Sequence, residues 1–134
     1  MSDRCYMQLT CRRQDQAQFE AMGFHLEFAD TQPSAILELI DTAADNAHRH
    51  ELPLDIPFLA MHEAGEHYAG RCLACDGKCL VDAPATSEGF VIQWDDVNNE
   101  PSEPSLARIR SYLTVRERVT KLFGGSVDFP AKSR

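Results

Sequence analysis

Apolar and polar residues alternate from Cys5 to Cys11. Cys5, Met7, Leu9 and Cys11 fall on one side and Tyr6, Gln8 and Thr10 on the other, the two-residue period of a half-buried strand. Cys5 and Cys11 are then separated by about 20 Å of strand, beyond disulfide reach, and read as packing residues. Asp15 followed by Gln18 has the form of a capping box, Phe19 and Met22 give a short apolar stripe, and Gly23 suits a left-handed cap, which predicts a brief helix over 15–22. Phe24, Leu26 and Phe28 then alternate with His25 and Glu27 as a second strand. A strand-helix-strand order with so short a connection permits parallel, right-handed pairing of the two strands.

From Pro33 to His50 two periods compete. Ala35, Ile36, Leu39, Ile40, Ala43, Ala44 and Ala47 fit a helical face, and the alanine content with the stop at Leu52-Pro53 predicts a helix. The alternative is a strand near 35–40 followed by a loop or short helix. Pro57 to His62 reads as a strand. Arg71-Cys-Leu-Ala-Cys75 and Lys78-Cys-Leu-Val-Asp82 flank Asp76-Gly77, the sequence of a two-residue hairpin turn. Gly89 to Trp94 supplies a further strand, and 97–104 an acidic, proline-containing linker. A long helix over 104–123, stopped by Gly124-Gly125, gathers Leu106, Ile109, Tyr112, Leu113, Val115, Val119, Leu122 and Phe123 in one arc, with Arg116 inside it.

These elements predict an α+β fold. A mixed or antiparallel sheet of about five to six strands, with the N-terminal strand-helix-strand and the central hairpin, is packed by the long C-terminal helix. A chain of 134 residues suits one domain, placed over 1–125 with a flexible tail at 126–134. With 43% hydrophobic residues it can build a core without metal or disulfides.

Charge divides the chain unevenly. Residues 41–103 hold thirteen acidic and three basic side chains, whereas 104–134 hold two acidic and seven basic ones. An acidic body repels phosphate backbones, so direct nucleic-acid binding is not expected outside the last thirty residues. No apolar run reaches membrane-span length, the N-terminus has no secretory leader pattern, and five cysteines is an odd number. These features point to a cytoplasmic protein with reduced thiols and no membrane partner.

The densest cluster of chemistry-bearing residues runs from His62 to Cys79. Cys72, Cys75, Cys79 and His67 are candidate zinc ligands, because a Cys-x2-Cys pair on a tight turn can present two thiolates to a tetrahedral ion. The candidate lacks a second Cys-x2-Cys pair, and His62 and His67 lack the four-residue interval of a helical metalloprotease site. The simpler reading makes these cysteines reduced packing residues along the hairpin strands. Phosphate-binding glycine loops and a Gly-x-Ser-x-Gly turn are absent from the sequence.

Three functional readings follow. The first is a small acidic binding protein that presents carboxylates of the 41–103 region to a basic protein surface, as an inhibitor or nucleic-acid mimic, with Asp95, Asp96, Glu63, Glu66 and Arg116 as candidate partner-binding residues. The second is a small zinc-binding domain using Cys72, Cys75, Cys79 and His67. The third is an enzyme with a cysteine or histidine active group and no recognisable local motif. A homo-oligomer could form through a sheet edge or the basic outer face of the last helix.

Overall fold

The computed structural model of the protein describes residues 5–29, 34–41, 52–63, 70–86 and 88–124. Alternation in the first segment yields β1 (Cys5–Arg12), which buries Met7, Leu9 and Cys11 completely. A 3-10 turn over Arg13–Asp15 leads into α1 (Gln16–Glu20). Asp15 makes no capping bond. Its carboxylate instead accepts from Nε of Arg12 at 2.8 Å, so the expected capping box is replaced by an ion pair across the turn. Gly23, at φ +108°, reverses the chain into β2 (His25–Ala29).

Residues 34–41 form β3 (Ser34–Asp41), so the helix expected over 33–50 is corrected there to its strand alternative; 42–51 lie outside the described residues. Local pattern is ambiguous in this segment, and pairing decides it. All eight residues of β3 pair antiparallel with the eight of β1, from Cys5 opposite Asp41 to Arg12 opposite Ser34. β3 also pairs antiparallel with β2. It therefore separates β1 from β2, which run in the same direction without forming the parallel pair that the strand-helix-strand order permits.

The remaining strands are β4 (Pro57–His62), β5 (Arg71–Asp76), β6 (Leu80–Thr86) and β7 (Gly89–Phe90). The sheet has the order β2-β3-β1-β4-β5-β6-β7, every neighbouring pair antiparallel. A separate two-stranded piece joins β8 (Trp94–Asp95) to β9 (Glu100–Pro101). The strand expected from Gly89 to Trp94 is thus broken. The amide of Val91 still donates to the carbonyl of Pro84 on β6, but that of Gln93 leaves the sheet and donates to Oγ of Ser105.

The hairpin stands, with its two-residue turn shifted by one position. The amide of Asp76 donates to the carbonyl of Cys79 at 3.3 Å, Gly77 and Lys78 make the turn, and Gly77 at φ +91° supplies the left-handed residue. The final helix, α2 (Glu103–Leu122), begins with Ser102 accepting from the amide of Ser105 at 3.4 Å and Pro104 in its first turn. The tail expected at 126–134 lies outside the described residues.

The sheet centre is covered on both faces. Met7, Leu9, Cys11, Phe58, Ala60, Leu73 and Cys75 pack with Phe19, Phe24, Leu52 and Ile56 on one face. Leu59, Met61, Cys72, Ala74, Ala83 and Ala85 pack under Ile109, Tyr112, Val115 and Val119 of α2 and its cap residue Phe123 on the other. All six residues of β4 are buried, as expected of a strand with two covered faces. The predicted arc of α2 is too wide, since Leu113 and Leu122 remain exposed.

Candidate functional site

Cys72 and Cys75 stand three residues apart on β5, and a strand turns successive side chains to opposite faces. Cys72 accordingly packs under α2, and Cys75 in the core on the other face. Cys75 donates its thiol to the carbonyl of Leu54 at 3.5 Å and accepts from the amide of Gly77 at 3.4 Å. Cys79 is exposed at the turn, and His67 lies outside the described residues. The strand therefore does not bring the two members of the Cys-x2-Cys pair to one tetrahedral centre, and no group of three or more metal-ligating side chains occurs among the described residues.

Burial pushes the Cys11 thiol up to about 12, with the nearby Asp15 and Glu20 charges adding to it. Burial also raises Cys72 and Cys75 above the ordinary thiol range. A cysteine nucleophile needs the opposite shift. These three thiols stay protonated at neutral pH and behave as core residues.

The carboxylates fall into two groups. The first is bound by arginines, chiefly those of α2. Asp82 on β6 accepts from Arg108 at 2.7 Å and from Arg71 at 3.0 Å. Burial works against its charge, but these two guanidiniums hold its carboxyl below the usual range. Asp76 accepts from Arg118 at 3.2 Å, and Glu103 from Arg110 at 3.2 Å. The basic C-terminal segment thus folds back onto part of the acidic middle. Arg116 lies half-buried on α2, beside the Tyr112 hydroxyl and the Cys72 thiol.

The second group surrounds β8 and β9. From Cys79 to Ala107 the sequence holds no lysine or arginine, and Asp96 and Glu100 of the hairpin are exposed. Asp95 shapes the hairpin: Oδ1 accepts from the amides of Val97 and Asn98, and Oδ2 from the Asn98 side chain at 2.8 Å. These bonds, the side-chain one foremost, hold the Asp95 carboxyl below its usual range. Asn99 at φ +53° completes the reversal. The amide of Ser102 donates to the carbonyl of Gln93 at 2.8 Å, and Ser105 Oγ accepts from the Gln93 amide, which ties the hairpin to the start of α2.

Four apolar side chains in this acidic arm face solvent: Val91, Ile92, Trp94 at 56% and Val97 at 92% exposure. Of the residues expected to bind a partner, Asp95 and Asp96 share the arm, Glu63 is exposed just past β4, and Glu66 lies outside the described residues. The apolar members were not anticipated, because Gly89 to Trp94 reads as a strand whose apolar residues would be buried.

Comparison with protein-family models, with curated proteins and with solved structures finds no match for this chain. No helix of the described residues is long and apolar enough to cross a membrane. One depression of about 520 Å³ lies between Arg12, Arg13 and Gln14 and the end of α2 at Leu122, Phe123 and Gly124. Of its two cationic residues, Arg12 is already paired with Asp15.

Proposed function

We propose that the protein is a small acidic binding protein of the cytoplasm, which acts by holding a basic surface of another protein. The reading is carried by the carboxylates of the β8–β9 hairpin: Asp96 and Glu100 are exposed, and no basic residue stands in sequence between Lys78 and Arg108. Asp76 and Asp82 are discounted, because Arg118, Arg71 and Arg108 already compensate them. An inhibitor that occupies a cationic groove fits this layout better than a mimic of a long nucleic acid, which needs charge spread along an extended face.

Zero-length coupling of carboxylates to amines, carried out on the protein with its cellular partners, tests the reading. Links from Asp95, Asp96 or Glu100 to partner lysines are expected, at a yield that falls several-fold as salt rises from about 0.05 to 0.5 M. Coupling unchanged by salt, or confined to Glu103 and Glu117, would remove it.

A further inference from the structure

An acidic surface alone attracts many cations, whereas selective docking needs an apolar anchor within it. The arm of residues 91–101 provides one. Trp94 and Val97 stand 56% and 92% exposed on the β8–β9 hairpin, with Val91 and Ile92 beside them in sequence. Burial of such side chains in the molecule's own core would be the ordinary outcome, and isolated exposure of one would need no account. Four within seven residues, on backbone fixed at both ends, do need one. The fixing is explicit: the Asp95 carboxylate bonds two amides and the Asn98 side chain, and Gln93 bonds the start of α2 through Ser102 and Ser105. A turn already held in one shape loses little freedom on binding.

We infer that this arm is the docking surface, and that its occupant is a protein segment in which lysine or arginine side chains alternate with apolar ones. The cations answer Asp95, Asp96 and Glu100, and the apolar groups cover Trp94 and Val97. This assignment rests on the reading of the chain as a binding protein and names the site and the partner's chemistry.

Trp94 is the chain's single tryptophan, so its emission reports on the arm and nothing else. The probes are two synthetic peptides of equal length and charge, one alternating lysine with leucine and the other lysine with serine. Binding is measured twice, by anisotropy of labelled peptide and by Trp94 emission with unlabelled peptide. The leucine peptide is expected to bind about ten-fold more tightly than the serine peptide and to shift Trp94 emission to shorter wavelength. Val97→Ser, at a position so exposed that folding is not at stake, is expected to weaken it about ten-fold, and Asp96→Asn to reduce its salt dependence. Anisotropy showing tight binding with no change in Trp94 emission and no effect of Val97→Ser overturns the arm and leaves the binding reading standing. Equal affinity for the two peptides overturns the apolar anchor and with it the assignment. Absence of binding by either peptide up to roughly 1 mM overturns both.

Discussion

His62 shows how a single residue ties the sheet to solution conditions. It closes β4 at 1% exposure, opposite Met7 on one side and Arg71 on the other. Its Nδ1 lies 3.1 Å from the carbonyl of Glu63; a carbonyl only accepts, so Nδ1 carries the proton of the neutral ring. Burial lowers the pKa of His62 below 6.5, with the Arg71 charge in the same direction, against the pull of Glu63 and Asp82. The unfolded chain therefore takes up a proton near pH 6.5 that the folded chain resists. Stability is full above that pH and declines as pH falls below it. Urea denaturation at about pH 7.5 and 5.5 checks the sign: His62→Gln should cost about 1–3 kcal/mol at the higher pH and lose less than the wild type between the two. Equal losses for both proteins would place the pH dependence elsewhere. At this scale the sequence was partly readable. The strand period alone puts Cys72 and Cys75 on opposite faces, but neither the burial of His62 nor the exposure of Trp94 can be deduced from neighbours in sequence.

Among the elements, the β5–β6 turn is the one most dependent on a single side chain. Asp76 Oδ1 accepts from the amides of Lys78 and Cys79 at 2.9 and 3.0 Å, and Oδ2 accepts from Arg118 of α2. The Cys79 amide, then the Lys78 amide and Arg118, hold the Asp76 carboxyl down at about 2. The same carboxylate therefore closes the hairpin and anchors the far end of the helix. Asp76→Ala is expected to lower stability by about 1–2 kcal/mol, and Asp76→Asn by less, because the amide oxygen still accepts from the two backbone donors. Because the folded pKa lies below the ordinary 3.8, the advantage of the wild type holds above that pH and disappears as pH falls toward 2. Urea midpoints of the three proteins at neutral and acid pH measure this, and a wild-type advantage that persisted at pH 2 would refute it. Asp76-Gly77 was legible because its chemistry is local. β3 was not, since Ile36, Leu37, Leu39 and Ile40 satisfy both a helical and a two-faced strand pattern, and only pairing along the whole of β1 selects the strand. Asp15 misled for a related reason: its sequence fits a cap, but Arg12 competes for the carboxylate and takes it.

Across the whole molecule, order is concentrated where the sheet is covered twice. β4 pairs with β1 and β5, and its six residues are buried between the cluster around Phe19 and Phe58 and the cluster under Tyr112. The continuous apolar run Pro57 to Met61 announced such a strand, whereas the order of strands was hidden, because the pairs β1–β3 and β1–β4 join residues distant in sequence. The acidic arm lies at the other extreme: β8 and β9 share two residue pairs, and their connecting turn bonds mainly to itself. Free energies of local opening should follow this gradient. In hydrogen exchange across a urea series, the amides of Phe58 to Met61 and Leu73 to Cys75 are expected to open only with the global transition, with its full urea dependence. The amides of Val97 and Asn98 should open locally and nearly independently of urea. The contrast bears on docking, since an arm that opens without the core can be altered at Val97 or Asp96 while the sheet stays intact, so that lost binding reports a lost surface. If the arm's amides followed the global transition instead, the hairpin would be part of the folding unit, and such variants would have to be matched for stability before their binding could be compared.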